Sequence, residues 1–468
     1  MASEWSLHSF SEAPVEIIDG DRGFNYPKKS DFTESGYCLF LSTKNVTASG
    51  FDFAQRQFIS LEKDTHLRKG RLERYDIIMT TRGTVGNVAY YDERVPYEVL
   101  RINSGMVIFR TQMNELTPRF LYYFLKSSVF NEQLLSLLTG SAQPQLPIRD
   151  IRRIQIPIPP LEEQNAIVYI LGTLDDKIEL NRKMNQTLEG IARALFKSWF
   201  VDLDPVRAKA AVREKHPEWS NERVSREACL RQAKRGRQAC PNLKPEIAEL
   251  FPDSFVDSEL GKIPKGWGVG SIEQCCAKIQ NGGTPKRNQS DYWQPGTIPW
   301  LTSGEVRQTL IMETSNMISE LGFERSSAKW MPRDSTVVAL YGATAGQVAL
   351  IASDMTTNQA VCGLIPKPGF RYLNYLSLDS SVGLLANLAR GSAQQNISKS
   401  IVATVRIVLP NEHIVDVFDQ MVAPVFDKWA ANLRESKSLA SLRDTLIPEL
   451  ISGELRIPDV GKVLERAL

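Results

Sequence analysis

The sequence predicts an α+β fold: two pseudo-symmetric mixed α/β domains joined by two antiparallel coiled-coil helical arms. Three observations support this prediction. They are an internal repeat across the 468 residues, short β-rich runs in both halves, and helical spacing of apolar residues at the end of each half. A composition with 42% apolar and 24% charged residues is that of a globular protein with about three domain-sized parts.

The repeat has a period of roughly 250 to 260 residues. Four pairs of strings recur in the same order in the two halves. They are TVGNVA and TAGQVA, GYCLFLSTKNV and GTIPWLTSGEV, GSAQ and GSAQ, and DKIELN and DKWAAN, beginning at residues 84 and 344, 36 and 296, 140 and 391, and 176 and 427. Because chance does not readily supply four collinear matches, the chain is predicted to be duplicated as domain, arm, domain, arm.

Each domain is predicted to mix strands and helices. Runs such as YDIIMT, NVAYY, GMVIF and IQIPI in the first half correspond to STVVAL, QVALI and VRIVL in the second. One helix is expected to begin at Thr117 and Pro118 and to end at Gly140. Its counterpart is expected from about Tyr372 to Arg390.

The arms are predicted from apolar positions three and four residues apart. Polar residues take the middle positions, at Asn181 and Asn185 in the first arm and at Asn432 in the second. A capping box at Thr173 and Asp176 predicts a short helix, a break and a main helix of roughly 25 residues. The residues predicted to pair are Leu174, Ile178, Leu188 and Leu195 in the first arm and Val425, Trp429, Leu439 and Leu446 in the second.

The path of the chain predicts the direction of the arms. The first arm leads from the first domain to the second, so a duplicated second arm leads back, and the pair is antiparallel about a pseudo-two-fold axis. Leu174 is expected near Leu446, and Leu195 near Val425. The predicted boundaries are 1–158 for the first domain, 159–204 for the first arm, 205–260 for a basic connector, 261–409 for the second domain, 410–452 for the second arm and 453–468 for a tail.

The net charge of +2 conceals the basic connector. Between Pro205 and Lys244 there are 11 Lys/Arg against 4 Asp/Glu, which gives +7 and leaves −5 for the rest of the chain. DNA binding is therefore expected through local patches or with a partner, not through bulk charge. Since acids interrupt the connector's basic residues and no aromatic row accompanies them, a solvated or partner-facing helical insertion is favoured over a strip that follows DNA.

Several classes of protein are disfavoured by the sequence. The N-terminal segment has neither a basic nor an apolar region of a signal peptide, and no stretch approaches ~18 consecutive apolar residues. No membrane span is expected, and the localisation is expected to be cytoplasmic. Six cysteines without a CxxC pair and only four histidines favour reduced thiols and no metal site.

Motifs of catalysis are missing from the sequence. It has no Gly-x-x-x-x-Gly-Lys-Ser/Thr, no Gly-x-Gly-x-x-Gly after a strand and no His-Glu-x-x-His. The Asp/Asn-Pro-Pro-Tyr/Phe loop of adenine methyltransferases is absent, because isoleucine precedes Pro159 and Pro160. Asp253, Glu259 and Lys262 resemble a nuclease motif but have the wrong spacing and are expected in a polar connector. No catalytic residue is predicted.

Polar loops bounded by glycine are the candidate DNA contacts. Asn and Gln can bind adenine bidentately, and Arg can bind guanine, in the major groove. For any single residue, a turn residue that satisfies its own backbone is an equally good interpretation. The candidates are Lys44, Arg82, Thr84, Asn87, Gln143 and Gln145 in the first half and Tyr341, Thr344, Gln347, Gln394, Gln395, Asn396 and Lys399 in the second.

Longer strings support a family assignment in combination. They are GWGVGSIEQ…GGTP and IPWL early in the second half, the GSAQ loops, IPIPPLEEQ with the arm DDKIELNRKMNQTLEGIARALFKSWF, FPDSFVDSELGKIPKGW, and SLRDTLIPELISGEL. With these strings, essentially the whole sequence resembles the specificity subunit of type I restriction-modification enzymes. The first half departs from the pattern, because it starts at Trp5 without a GGTP string.

The resemblance implies two target-recognition domains, each of which reads one half of a bipartite site in double-stranded DNA. It implies that the arms act as a spacer and bind two adenine methyltransferase subunits, with endonuclease-translocase subunits joining for cleavage and no membrane partner. S-adenosylmethionine, ATP and Mg²⁺ would be bound by those partners and no cofactor by this chain. Two alternatives stay open: a stand-alone DNA-modifying or nuclease enzyme with an unrecognised active site, and a scaffold that joins proteins without reading DNA.

Overall fold

A computed structural model describes residues 5–138, 144–234, 243–390 and 396–457. The chain divides into two compact units. Unit 1 is Met1–Leu180 with Ser436–Leu468, and unit 2 is Asn181–Glu435. Among the described residues, no helix is both long and apolar enough to cross a membrane.

Unit 1 is a mixed α and β structure. Its strands are β1 (Ser6–Ser9), β2 (Val15–Asp19), β3 (Cys38–Leu41), β4 (Val46–Thr47), β5 (Gly50–Phe51), β6 (Phe58–Ile59), β7 (Ile77–Thr80), β8 (Val88–Tyr90), β9 (Leu100–Ile102), β10 (Met106–Thr111) and β11 (Gln155–Ile158). Its helices are α1 (Leu61–His66), α2 (Pro118–Lys126), α3 (Ser128–Leu137), α4 (Ile148–Ile151) and the first part of α5 (Leu161–Phe196).

The central sheet of unit 1 has the strand order β2-β10-β7-β8, and both faces of its middle strands are covered. Ile77 and Met79 of β7 pack into the core that contains α2, whereas Ile78 packs into the core that contains β3 and β9. This follows from the two-residue period of a strand, which sends alternate side chains to opposite faces. A second sheet has the order β6-β3-β9, with β3 and β9 parallel.

The rest of the chain forms unit 2 and the two helices shared with unit 1. The strands are β12 (Phe255–Ser258), β13 (Gly261–Pro264), β14 (Gly268–Ser271), β15 (Cys276–Asn281), β16 (Ile298–Leu301), β17 (Leu310–Ile311), β18 (Asn316–Ile318), β19 (Trp330–Met331), β20 (Thr336–Ala339), β21 (Val348–Ile351), β22 (Met355–Thr357), β23 (Val361–Pro366) and β24 (Arg406–Leu409). The helices are α6 (Asp204–Arg213), α7 (Asn221–Lys234), α8 (Pro245–Ala248), α9 (Glu320–Glu324), α10 (Arg371–Ser380), α11 (Val382–Arg390), α12 (Lys399–Ala403) and α13 (Glu412–Ser452), whose last part lies in unit 1.

Unit 2 repeats the sheet topology of unit 1. Its central sheet has the order β15-β23-β20-β21, which corresponds to β2-β10-β7-β8, and adds β17 at the edge. The parallel pair β16 and β22 corresponds to β3 and β9, and the antiparallel pair β14 and β24 corresponds to β1 and β11. The predicted α+β class with two pseudo-symmetric domains is therefore confirmed.

The helix predicted between Thr117 and Gly140 is two helices. Ser127 is extended between α2 and α3, with ψ 158°, and its hydroxyl accepts a hydrogen bond from Phe130 N at 3.2 Å as the N-cap of α3. Ser381 separates α10 from α11 in a different conformation, with ψ 3°, and its hydroxyl donates to the carbonyl of Ser377 at 2.8 Å. In unit 1, the prediction of one helix was wrong because a serine that can cap a new helix was treated as helix interior. Gly140 lies outside the described residues.

Each arm contains one long helix without the predicted break. α5 has 36 residues, and α13 has 41 residues. Thr173 does not cap a helix, because its hydroxyl donates to the carbonyl of Tyr169 at 2.7 Å, one turn earlier in α5. The capping-box prediction was wrong because the same Thr-x-x-Asp pattern is compatible with a helix interior when the hydroxyl bonds back to the helix.

Within unit 1, the first part of α5 packs antiparallel to the last part of α13. Arg443 of α13 donates to Asp175 at 2.7 Å, and Arg456, which follows the end of α13, donates to Glu163 at 3.1 Å. A later residue of the α13 segment therefore contacts an earlier residue of α5, as antiparallel packing requires. Leu174 packs against the core that contains Leu446. Ile178 and Leu439 are half-buried.

Within unit 2, the remaining parts of the same helices also pair antiparallel. Asn181 Nδ2 donates to the carbonyl of Asn432 at 3.5 Å, while the rings of Phe196 and Phe418 are 6.3 Å apart. The residues predicted to pair here share one hydrophobic core, with two buried and two partly buried. They are Leu195, Trp429, Leu188 and Val425.

The connector consists of packed helices and a hairpin. Lys209 in α6 is fully buried, and its ammonium donates to the carbonyls of Ala248 and Phe251 at 2.9 and 2.5 Å. Asp253 pairs with Arg213, so it has a structural partner.

The nuclease-like string was expected in a polar connector and not between strands, but part of it lies in a β-hairpin. Glu259 occupies the turn between β12 and β13, where it pairs with Arg406, and Lys262 lies in β13. The strings FVDS and GKIP, which form β12 and β13, are too short for an alternation of apolar and polar residues to have indicated the hairpin.

We predict that the buried amides between the helices of unit 2 lower its stability. Asn432 Nδ2 donates to Asn185 Oδ1 at 2.9 Å, but Asn432 Oδ1 is buried without a partner. Replacing both residues by leucine removes the whole polar pair and should raise the free energy of unfolding by about 1 kcal/mol. Asn432→Ala alone leaves Asn185 unpaired and should lower it by about 2 kcal/mol. Calorimetric unfolding measures both, and a double variant as unstable as the single one would contradict the prediction.

A second prediction concerns pH. Burial lowers the pKa of Lys209 from 10.5 to about 8. Between pH 8 and pH 10.5, Lys209 is mostly protonated in the unfolded chain and mostly neutral in the folded chain. The contribution of Lys209 to the free energy of unfolding therefore rises with pH. Urea unfolding of wild type and Lys209→Met at pH 7.5 and pH 10 should show a stability difference that grows in favour of wild type by about 1 to 3 kcal/mol. A difference independent of pH would contradict the prediction.

Candidate nucleic-acid interface

In unit 1, the 81–87 loop between β7 and β8 is joined to two other loops by backbone hydrogen bonds. Thr81 N donates to Gly105 O at 2.8 Å, and Leu146 N donates to Thr81 O at 3.1 Å. Three segments far apart in the sequence therefore meet at one edge of the central sheet. Their backbone groups satisfy each other's hydrogen bonds.

Arg82 and Gln145 lie side by side in this arrangement. They form an isolated antiparallel β-bridge, and both are exposed. Thr84 is exposed in the same loop, and Lys44 is exposed in the turn between β3 and β4. The structure thus places a guanidinium and a carboxamide, two groups that can read base edges, at adjacent positions.

Asn87 has a structural role in the loop. Its side-chain amide donates to the carbonyl of Val46 at 3.0 Å and to the hydroxyl of Thr84 at 3.2 Å, and the residue is half-buried. For this residue, the contacts favour the alternative interpretation of a turn residue that satisfies local backbone. Asn87 fixes the 81–87 loop against β4.

Unit 2 contains the equivalent arrangement around its 340–347 loop. Leu340 N donates to Ala360 O at 2.8 Å, and Ile397 N donates to Leu340 O at 2.9 Å. These bonds correspond one for one to those of Thr81 in unit 1. The duplication therefore extends from the strand order to the hydrogen bonds that position the loops.

Tyr341 and Asn396 occupy the positions of Arg82 and Gln145. They form the corresponding isolated β-bridge, and Tyr341 is 44% exposed. Lys399 is exposed at the first position of α12. A phenol and a carboxamide thus replace the guanidinium and carboxamide of unit 1.

Of the predicted residues in the 340–347 loop, Thr344 faces the protein and Gln347 is half-buried. Thr344 is 4% exposed, and its hydroxyl donates to the carbonyl of Ser303 at 2.9 Å. Gln347 is half-buried, and its backbone N–H donates to Thr344 O at 2.9 Å. Thr344 anchors the loop and has no surface on which a base could bind. The predicted contacts at Gln143, Gln394 and Gln395 lie outside the described residues.

Glycines permit the sharp turns of both loops. Gly86 and Gly346 have φ of 93° and 86°, in the region that side chains other than glycine rarely adopt. A Cβ at Gly346 would also lie 2.7 Å from the backbone nitrogen of Ala386. The glycine-bounded strings recognised in the sequence are therefore required by backbone geometry.

Sequence reasoning missed a group of arginines beside Gln145. Arg149, Arg152 and Arg153 are exposed on and just after α4, and the side chains of Arg149 and Arg153 are 82% and 71% exposed. Asp150 lies 3.5 and 3.9 Å from those two side chains. The string IRDIRR follows GSAQPQ by two residues, so the sequence contained the signal, but the bridge of Gln145 with Arg82 could not be known without the fold.

Four buried cysteines are unsuited to nucleophilic chemistry. Cys38, Cys275, Cys276 and Cys362 are buried free thiols, and burial raises the pKa of each to about 12. They are therefore protonated at neutral pH, and a protonated thiol is a poor nucleophile. Within the described ranges, no three His, Cys, Asp or Glu residues are grouped so that they could hold a metal ion.

Comparison with known proteins identifies relatives along the whole chain. The chain is 29% identical over 476 residues to the type I restriction enzyme HindI specificity subunit of Haemophilus influenzae, covering 97% of this chain and 100% of the relative. It is 24% identical over 401 residues to the type I restriction enzyme MjaIX specificity subunit of Methanocaldococcus jannaschii, covering 82% of this chain and 78% of the relative.

A solved structure has the same fold. The crystal structure of the type I restriction-modification system S subunit from M. genitalium aligns with a TM-score of 0.52 and 13% identity over 96% of each chain. The family model described as type I restriction modification DNA specificity domain matches residues 16–190 and 264–427. These two segments cover most of the chain, one in each duplicated half, and the chain therefore belongs to the type I restriction-modification DNA specificity family.

Proposed function

We propose that this chain reads a bipartite DNA site, with one half-site bound by the loops of each unit. The observation that carries the proposal is the equivalent placement of Arg82 with Gln145 and of Tyr341 with Asn396. Arg can bind guanine, and Gln and Asn can bind adenine, through the edges exposed in the major groove. Since the two pairs differ in chemistry, the two half-sites are expected to differ in sequence.

Catalysis is proposed to belong to partner subunits. The relatives are named as specificity subunits of restriction enzymes, and burial keeps four cysteines of this chain protonated at neutral pH. We infer that the chain recruits two adenine methyltransferase subunits and endonuclease-translocase subunits in the cytoplasm. Those subunits would bind S-adenosylmethionine, ATP and Mg²⁺, and this chain would direct them to the site.

α5 and α13 are proposed as the spacer between the two readers. Each helix contributes one part to unit 1 and one part to unit 2, and the two pack antiparallel in both units. The exposed faces of these helices are the proposed binding surface for the methyltransferase subunits, because their buried faces are occupied by each other and by the unit cores.

Mapping N6-methyladenine across a host genome with and without this gene tests the proposal. We expect one bipartite motif that disappears when the gene is removed. Arg82→Ala should relax or abolish recognition in one half of the motif, and Tyr341→Ala in the other, because each removes a base contact worth about 1 to 3 kcal/mol. Thr344→Ser, which keeps a buried hydroxyl, is the matched control and should leave the motif unchanged.

Two results would contradict the proposed function. One is a motif that persists without the gene. The other is an Arg82→Ala variant that weakens both halves equally. A purified chain that by itself methylates or cuts DNA supplied with Mg²⁺, ATP and S-adenosylmethionine would favour the alternative of a stand-alone enzyme.

The arginines after Gln145 are predicted to contact phosphates. Arg149→Ala should weaken DNA binding by a similar factor for specific and unrelated duplexes, since phosphates carry no sequence information. It should also reduce the slope of log affinity against log salt by about 1. Fluorescence anisotropy between about 50 and 200 mM salt measures both quantities. A loss confined to the specific duplex would instead assign Arg149 to base recognition.

A further inference from the structure

The loop that follows β2 presents an isolated aromatic side chain to solvent. Phe24 is 99% exposed. Burying such a ring is favourable, so a partner that covers it would gain that interaction. Single exposed apolar residues are common on protein surfaces, so the inference depends on what surrounds this one.

Hydrogen bonds fix the backbone on both sides of Phe24. Asp21 accepts hydrogen bonds from the backbone N–H of Gly23 and of Arg68, each at 2.7 Å. Asn25 Nδ2 donates to the carbonyl of His66 at 3.3 Å. The backbone that carries the ring is therefore fixed, so binding of a partner to the ring would cost little conformational entropy of the loop.

This loop is connected to the turn that supports Arg82. Arg22 Nη2 donates to the carbonyl of Ser104 at 3.4 Å, and the next residue, Gly105, accepts from Thr81 N at 2.8 Å. Phe24 and Arg82 are thus attached to the same short turn. A duplex bound at Arg82 would lie within reach of the Phe24 loop.

Exposed basic residues lie in the Phe24 loop and in the segment bonded to it. Arg68 and Lys69 are exposed in the segment bonded to Asp21, and the Arg22 side chain is 52% exposed, with Asp19 at 3.1 Å. Buried Arg101 donates to the carbonyl of Lys69 at 2.7 Å and so holds this segment in place. An exposed aromatic residue in a loop with basic residues beside it fits a nucleic acid better than an apolar protein groove.

Unit 2 has the same loop with different chemistry. Asn281 of β15 pairs with Cys362 as Asp19 of β2 pairs with Val107, so the loops after β15 and β2 correspond. By this register, the position of Phe24 is taken by Lys286, which is exposed. Only cationic contacts to phosphate are expected there.

We propose that Phe24 is a wedge that packs against or between base pairs at the edge of the half-site read by unit 1, while Arg22 and Arg68 contact the flanking phosphates. This inference rests on the proposed function and adds a contact outside the loops that read base edges. Apolar side chains inserted in this way unstack a base step and bend the duplex. The unstacked step would contribute specificity through its deformability without a hydrogen bond to a base.

The test uses the full chain co-purified with its methyltransferase subunit. A randomised duplex library first defines the selected site, and duplexes with 2-aminopurine at each position of that site then report unstacking. Wild type and Phe24→Trp should raise the fluorescence at one step of the unit 1 half-site. Phe24→Ala should abolish that signal and weaken binding about tenfold, the effect of losing one stacked aromatic contact. Leu7→Ala, which truncates another exposed apolar residue of unit 1, is the control and should behave as wild type.

The outcomes separate this inference from the proposed function. A wild-type complex that selects no sequence overturns both. A selected bipartite site with equal affinity and fluorescence for Phe24→Ala and wild type overturns the wedge alone. Loss of the methyltransferase subunit from Phe24→Ala, with DNA contacts unchanged, would assign Phe24 to a protein interface and would also overturn the wedge.

Discussion

The paired backbone hydrogen bonds of one residue in each half hold the candidate interface together. Thr81 bonds through its N–H to Gly105 and through its carbonyl to Leu146, and Leu340 makes the equivalent bonds in unit 2. Since backbone groups make all of these bonds, any side chain can occupy the neighbouring positions without altering the frame. This explains how one frame holds Arg82 in unit 1 and Tyr341 in unit 2.

The long helices show a different compromise between stability and specificity. Most of their contact is apolar, but Asn181 and Asn432 each keep a buried side-chain oxygen without a hydrogen-bond partner. A purely apolar contact would be more stable, yet it would also tolerate other helix registers. We infer that the amides are retained because they specify one register, and a change of register would shift every residue on the two helices.

Repetition and local chemistry were predictable from the sequence to different degrees. The repeat predicted two similar domains because duplicated strings imply duplicated folds, and glycine-bounded strings located the loops because positive φ favours glycine locally. Helix ends were predicted poorly, since Ser127 caps a helix whereas Thr173 bonds back into one. Which loop side chains face solvent was also beyond the sequence, because burial of Thr344 depends on the distant carbonyl of Ser303.

The contacts missed by the sequence share a physical feature. Arg149 and Phe24 lie outside the repeated strings, and the significance of each depends on segments that the fold brings together, such as the bridge of Gln145 with Arg82 and the hydrogen bond from Arg22 to the carbonyl of Ser104. The backbone arrangement of the loops is the same in both units, so the residues that form it are similar in the two halves and are detected as a repeat. Residues that distinguish one half-site from the other must differ between the halves. A search for similar strings in the two halves therefore does not detect them. In a duplicated reader, the positions where equivalent loops diverge, such as Phe24 and Lys286, are the places where specificity is expected.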